Sequence, residues 1–311
     1  MKILVTGGAG FIGSNLAQKL CQEGDEVRII DDFSTGTLDN LVGVDAEIIN
    51  GSILDDSALE QATSGVDSII HLAAIPSVPR SVAAPMPSHE ANATGTLKVL
   101  EAARATGAYV AVASSSSVYG ANPTLPKHEE LRPMPISPYA VSKLATESYA
   151  VAWKKSYGLD TLAFRFFNVF GPQQRAGHAY AAAIPRFLDN IQKGLPLEVY
   201  GDGEQTRDFT YVGDVVHVLA RAARERVTHD SPVNLAFGTR RTLNELIATL
   251  SSLVGQSLAV DYQAPRVGDV RDSQASSDLL LQLFDNPQMT LFETALKETT
   301  DWFMNLPNER T

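Results

Sequence analysis

The sequence predicts an α/β protein built on a doubly wound parallel sheet, with a smaller α/β lobe toward the C-terminus. Three observations carry this reading. Short apolar runs alternate with amphipathic helical segments through the first part of the chain. The first run leads into a glycine turn, Gly7-Gly8-Ala9-Gly10-Phe11-Ile12-Gly13, that opens a helical segment. The second run ends in two acids, Asp31 and Asp32.

The strand-like runs are Ile3–Val5, Val27–Ile30, Glu47–Asn50, Ser68–Leu72, Tyr109–Ala113 and Leu162–Phe166. Helical patterns fall between most of them, including Leu54–Ala62, Asn92–Thr106 and Tyr139–Tyr157. Strands joined by helices pair in parallel, and such sheets take ligands at the carboxyl ends of their strands. Residues 168–207 turn richer in Gly, Pro and Gln. Val212–Arg224 reads as a helix and Val233–Leu235 as a strand returning to the sheet, followed by a helix at Leu243–Val254 and a strand at Leu258–Tyr262. This places a dinucleotide domain at 1–167 plus about 208–236, and the smaller lobe at about 168–207 plus 237–311.

Each part of the first strand-turn-helix has a role in holding a dinucleotide. Gly7 permits the tight turn, Gly10 lets the backbone approach a pyrophosphate, and Gly13 lets the helix pack on the sheet. The N–H groups around Phe11 and Ile12 face the phosphates at the helix start. The spacing is G-x-x-G-x-x-G rather than G-x-G-x-x-G, so the glycines alone are weak evidence. Asp31 strengthens them: it lies eighteen residues after Gly13, near the ~20-residue spacing of the acid that binds the adenosine ribose. A carboxylate accepts from the 2′-hydroxyl of NAD and repels the 2′-phosphate of NADP. The expected cofactor is NAD, and Asp32 adds to the repulsion.

Tyr139 and Lys143 stand at i and i+4 behind Pro138, on one face of a predicted helix. Such a pair is ordinary on an amphipathic helix. A serine-rich strand end at Ser114–Ser117 and a dinucleotide fold give it another meaning. Free tyrosine has a pKa of roughly 10. A nearby ammonium and a positive nicotinamide ring would draw it down, so that Tyr139 exchanges a proton with a sugar hydroxyl and Ser115 shares its hydrogen bond.

Bulk composition narrows the class. The chain has 311 residues, 44% of them hydrophobic and 20% charged, as in ordinary globular proteins. The net charge of −11 comes with no Lys/Arg cluster, which argues against nucleic acid as a partner. An anionic substrate must then be met by a few local arginines. The single cysteine, Cys21, excludes an internal disulfide and reads as a small core residue. It fits a reducing cytoplasm. Ile3–Val5 is too short for a signal-peptide core, and no apolar stretch approaches a membrane span. No metal site and no internal repeat is expected. His71 reads as a satisfied residue at a strand end.

The chain resembles the extended short-chain dehydrogenase/reductase family, which has a Rossmann fold, and within it the nucleotide-sugar 4-epimerases. Besides the motifs above, the resemblance rests on His71-Leu72-Ala73-Ala74, Asn92-x-Thr94-Gly95-Thr96, Phe167-Asn168-Val169-Phe170-Gly171-Pro172, the stretch from Tyr200 through Arg207 to Val212, and Arg266-Val267-Gly268-Asp269. It implies a catalytic Ser115, Tyr139 and Lys143, with Lys143 also on the nicotinamide ribose. It implies cofactor contacts from Ser52, Ile53, Leu72, Ala73 and Ala74, and a nucleotide diphosphate held by Asn168, Arg207, Arg266 and Asp269. Ser52 departs from the family's usual Asp after the third strand, which weakens the expected adenine contact.

The resemblance also separates the family's reactions. Dehydratases carry Asp-Glu after the catalytic Ser/Thr, and decarboxylases use a nearby Glu. Here Ser116 and Ser117 stand there, neutral and poor proton donors. That favours the minimal cycle: oxidise C4, turn the keto sugar, return the hydride to the other face. UDP-glucose/UDP-galactose is the expected pair. Ser273, small where a bulky residue excludes N-acetylated sugars, hints at UDP-GlcNAc/UDP-GalNAc as well. Arg175 near the sugar could instead pair with a C6 carboxylate, which keeps UDP-glucuronate open, or be a surface residue. A non-catalytic dinucleotide sensor would lack one of Ser115, Tyr139 or Lys143. The resemblance further suggests a homodimer through Asn92–Thr106, offering Leu97, Leu100 and Arg104, and Tyr139–Tyr157, offering Leu144, Ser148 and Val151. The same residues would also suit an intramolecular core.

Overall fold

The computed structural model describes residues 1–175, 182–264, 271–285, 287 and 289–306. The first half of the chain runs β1 (Lys2–Thr6), α1 (Phe11–Gln22), β2 (Glu26–Asp31), β3 (Ala46–Asn50), α2 (Asp56–Thr63), β4 (Ser68–His71), α3 (Val78–Ala83), α4 (Pro85–His89), α5 (Gly95–Thr106), β5 (Tyr109–Ser115), α6 (Pro138–Tyr157) and β6 (Thr161–Phe166). It continues with β7 (Val169–Phe170), α7 (Ala183–Lys193), β8 (Leu197–Tyr200), β9 (Thr206–Asp208), β10 (Thr210–Tyr211), α8 (Val212–Glu225), β11 (Val233–Leu235), β12 (Arg240–Thr242), α9 (Leu243–Val254), β13 (Val260–Gln263), α10 (Asp278–Leu283) and α11 (Phe292–Met304).

The main sheet has seven strands in the order β11-β6-β5-β4-β1-β2-β3, all parallel. This is the doubly wound architecture predicted from the alternation, and β11 returns to the sheet beside β6 as expected. Side chains alternate across β1: Ile3 and Val5 face one layer and Leu4 the other. The first layer packs Leu16 and Leu20 of α1 and Val215 and Leu219 of α8. The second packs Leu59 of α2 and Val99 and Leu100 of α5. Both faces are thus dry, which is why the strands read as continuous apolar runs.

Leu100 is fully buried in this second layer, so it is a core residue and is not offered to a partner subunit. Cys21 is half-buried and packs at the edge of the first layer, its thiol donating to the Asp45 carbonyl at 3.3 Å. A separate apolar cluster gathers Phe170, Phe187, Val199, Leu246, Leu250 and Phe303 on the later elements. Leu280 and Phe284 do not join it. They pack on the sheet's first layer, with the Phe284 ring 6.1 Å from that of Phe164. The segment around α10 therefore returns to the sheet, which composition alone did not reveal.

The predicted helix at Asn92–Thr106 opens with a π-helical turn, Glu90–Thr94, before α5. Local widening of this kind accommodates a residue whose side chain bonds elsewhere. Asn92 does so: its amide accepts from the Ile75 N–H at 2.8 Å and donates to Ser142 Oγ at 2.9 Å.

Candidate active site

The cofactor cradle is built by what glycine omits. Gly7 adopts φ +71, and a Cβ there would lie 2.7 Å from the Ala73 nitrogen. A Cβ on Gly13 would lie 2.2 Å from the Gly7 carbonyl oxygen. Gly10 is the N-cap of α1 and brings no side-chain cap, so the first N–H groups of the helix are left for an anion. Gly7, Gly10, Phe11, Ile12 and Gly13 all line a cleft of about 750 Å³.

The same cleft is lined by Asp31, Ser52, Ile53, Leu72, Ala73 and Ala74. It lies where β1 and β4 lead chain in opposite directions, the switch point of such sheets. Asp31 accepts from the Ala9 N–H at 2.9 Å and the Phe33 N–H at 2.8 Å. Its carboxylate therefore braces the glycine turn as well as facing the cleft. Burial pushes its pKa up, opposed by those two backbone donors. Ser52 Oγ already accepts from the Leu54 N–H at 3.2 Å. These residues fit a dinucleotide with free ribose hydroxyls, and the cleft's size and glycine floor fit its pyrophosphate.

At the other end of the cleft stand Ser115, Tyr139 and Lys143. The β5 strand ends at Ser115, and α6 begins at Pro138 with Ser137 as its cap, its hydroxyl accepting from Ala140 N. The Tyr139 N–H donates to Ser81 Oγ at 3.0 Å, which seats the first turn of α6 against α3. The Ser115 hydroxyl stands near enough to the Tyr139 phenol to draw its pKa down, and it also accepts from the Ser117 N–H at 3.1 Å. Lys143 is buried and donates to the Ala113 carbonyl at 2.7 Å. Burial drives its pKa down to about 8.

Burial pushes the Tyr139 phenol up, and the neighbouring Ser115 hydroxyl pulls against it. The Lys143 ammonium spends a donor on the Ala113 carbonyl and is itself destabilised by burial. His71 is a satisfied residue at a strand end, as read from sequence: its ring bonds Thr6 Oγ1 at 2.7 Å and Thr96 Oγ1 at 3.1 Å. Burial and then the Lys143 charge push its pKa to about 3, so it is neutral.

A second cavity of about 210 Å³ adjoins the cleft and shares Val169, Gln174 and Ala182 with it. Asn168 and Arg207 line this cavity, with Tyr200, Phe209 and Leu243 supplying its apolar walls. Asn168 has φ +27 and donates to the Asp208 carbonyl at 3.0 Å. Arg207 donates to the carbonyls of Thr206 at 2.9 Å and Arg271 at 3.1 Å. Arg175 lines the cleft and pairs with Asp39 at 3.6 Å. Asp39 sits in a short 3-10 turn, Leu38–Leu41, which bonds the glycine turn through Asn40 and Ala9. Arg175 thus reaches toward the dinucleotide half.

Ser116 opens a 3-10 turn, Ser116–Tyr119, and is not on the wall of either cavity; Ser114 is. Ser273 is held by its N–H on the Thr206 carbonyl at 3.2 Å and also lines neither. Arg266 and Asp269 lie outside the described residues. Arg80, Ser77, Thr37 and Asn40 line the cleft without having been picked from sequence. They come from the connections after β2 and β4, Thr37 just before and Asn40 within the 3-10 turn and Ser77 and Arg80 at the start of α3, where no motif marks the residue that turns inward.

A family model described as "NAD dependent epimerase/dehydratase family" matches residues 3–236. The chain is 34% identical over 313 residues to a UDP-glucose 4-epimerase of Mycolicibacterium smegmatis, covering 98% of this chain and 99% of that one. It is also similar to the UDP-N-acetylglucosamine 4-epimerase of Methanobrevibacter ruminantium in complex with UDP-N-acetylmuramic acid. That structure has a TM-score of 0.93 and 37% identity, covering 97% of this chain and 98% of the other. The UDP-glucose 4-epimerase of Thermotoga maritima with UDP-glucose gives 0.92 and 33%, over 97% and 98%. Other reactions occur at similar distance, as in a UDP-N-acetyl-alpha-D-glucosaminuronate decarboxylase of Bacillus cytotoxicus, 32% identical over 99% of each chain. The cradle, the strand order and these matches agree: the chain belongs to the NAD-dependent epimerase/dehydratase family of the extended short-chain dehydrogenases/reductases.

Proposed function

We propose that this enzyme interconverts the C4 epimers of a UDP-hexose, with UDP-glucose/UDP-galactose as the first pair and UDP-GlcNAc/UDP-GalNAc as the second. The observation that carries the proposal is the gathering of Ser115, Tyr139 and Lys143 on the wall of the dinucleotide cleft, with only neutral Ser116 and Ser117 following. Bound NAD supplies the acceptor and donor of the hydride at C4. Tyr139 takes the proton of the C4 hydroxyl as the carbon is oxidised and returns it afterwards, and Ser115 holds that oxygen. Lys143, fixed by Ala113, holds the nicotinamide ribose.

In this reading Arg207 and Asn168 hold the diphosphate, with Arg266 and Asp269, and the base lies against the apolar walls of the smaller cavity. The 168–207 and 237–311 stretches then supply most of the nucleotide-sugar lobe. The sugar turns about its diphosphate anchor, which requires that no acidic group intercept the keto sugar. A carboxylate or acid pair would be needed for elimination, and Ser116 and Ser117 offer none. UDP-glucuronate is the second reading, because Arg175 lines the same cleft. Its ion pair with Asp39 supports the hexose reading instead. A homodimer through α5 and α6 and a cytoplasmic setting complete the proposal. Among the described residues no helix is long and apolar enough to cross a membrane.

Feeding the three substrate pairs and comparing kcat/KM ranks the sugars. Tyr139→Phe should abolish turnover while NAD stays bound. Full activity in that variant refutes the assignment.

A further inference from the structure

Beneath the catalytic residues lies a buried ion pair that the mechanism above does not use. Arg165 on β6 and Glu147 on α6 are each only 3% exposed at their side chains. Arg165 Nε donates to Glu147 Oε2 at 3.0 Å and Nη2 to Oε1 at 2.6 Å, a two-point contact. The guanidinium also lies over the Tyr119 ring, 4.7 Å from its centroid.

The pair joins elements that carry catalytic groups. Glu147 follows Lys143 by four residues on α6, so it stands one turn below it. Ser114 Oγ donates to Glu147 Oε2 at 2.7 Å and also lies 3.2 Å from the Lys143 carbonyl oxygen. Ser114 precedes Ser115 on the end of β5. One carboxylate therefore ties the strand that presents Ser115 to the helix that presents Tyr139 and Lys143. Through Tyr119 the network reaches further: its hydroxyl donates to Asn234 Oδ1 at 2.7 Å, and Asn234 donates to the Lys127 and Ser276 carbonyls.

Stability alone does not explain such a pair. Burying two charges costs as much as their attraction returns, and apolar residues of similar volume often replace them without loss. What apolar residues cannot reproduce is direction. We propose that Glu147, oriented by Arg165, is a positioning residue that sets the spacing between the Ser115 hydroxyl and the Tyr139 phenol through its bond to Ser114.

The inference rests on the epimerase reading, because its readout is turnover. Each variant is compared with the wild-type enzyme on the same UDP-sugar. A wrong sugar silences the wild type too, whereas a wrong inference leaves the variants as fast as the wild type. The decisive variant is the double replacement Glu147→Leu with Arg165→Met. The inference expects thermal stability close to wild type, KM within about threefold, and kcat lowered at least tenfold. Restoration of both stability and kcat by the apolar pair overturns it. Should that variant not fold, Ser114→Ala leaves the ion pair intact and removes the strand's hydroxyl contacts with α6, at Glu147 and at the Lys143 carbonyl. A several-fold lower kcat at unchanged KM and unchanged NAD content supports the inference, and wild-type kcat sinks it.

Discussion

The Lys143 ammonium donates to the carbonyl of Ala113 at 2.7 Å, two residues before Ser115 on the same strand. The lysine of the proposed triad is thus tied to the strand that carries its serine. Its burial leaves the charged form weakly favoured, with a pKa driven down to about 8. The ammonium is therefore present below that pH and lost above it.

A falling high-pH limb follows. If the Lys143 ammonium is needed, kcat should decline as pH rises through about 8. Lys143→Met should lower kcat by about 100-fold or more, the scale of a lost acid–base partner, and remove this limb from what activity remains. A pH–rate profile of both proteins checks it. An unchanged limb in the variant would assign it to another group.

Asp208 gives a prediction for stability rather than activity. It has no exposed surface, and burial pushes its carboxyl up to about 7, against donation from the Ala275 N–H. An unfolded aspartate titrates near ~3.9. Between these values the folded chain holds a proton that the unfolded chain has lost. Stability from this group is full below about pH 4 and declines until the folded carboxyl ionises. The cost reached is on the order of 4 kcal/mol at most. Asp208→Asn should therefore flatten the fall in Tm between pH 5 and pH 8 and leave the variant more stable than wild type at pH 8. Parallel Tm curves for the two proteins would contradict this.

Gly13→Ala tests the cradle. The added Cβ would sit 2.2 Å from the Gly7 carbonyl oxygen, so the loop must move. Overpacking of this kind costs roughly 1–3 kcal/mol, and the displaced turn should weaken NAD binding at least about tenfold. Titration calorimetry with NAD reads the affinity directly. An unaltered affinity would mean that the turn can shift without disturbing its phosphate-facing N–H groups.

Asp31→Asn tests cofactor choice. The variant keeps an acceptor for one of the Ala9 and Phe33 donors and removes the charge beside the ribose site. NAD affinity should fall by about tenfold, the scale of one charged hydrogen bond, while discrimination against NADP narrows. Competitive binding of the two cofactors measures both. Equal loss for NAD and NADP would show that Asp31 matters only for bracing the turn.

Much of this site was legible from sequence because its rules are local. Strand runs separated by helical periods specify a parallel sheet. Gly7 and Gly13 are demanded by positions where any side chain collides. Tyr139 and Lys143 share a helix face by spacing alone. The connections after β2 and β4 were not legible. Thr37 and Arg80 line the cleft, yet nothing in their neighbours' pattern marks the residue that faces inward. Nor could helix periodicity tell that Leu100 faces the core, since an apolar stripe suits a partner equally well.

What the sequence determined by itself was the order of elements, the glycine cradle, the acid at the end of β2 and the candidates for the reactive side chains. Periodicity and steric exclusion act over a few residues, so they can be read along the chain. Tertiary structure alone decided the electrostatics. Burial pushed Tyr139 up and Lys143 down. It turned Arg175 toward Asp39 and closed Glu147 on Arg165. Desolvation and ion pairing depend on which distant residues share a low-dielectric space, and only the folded chain brings those residues together.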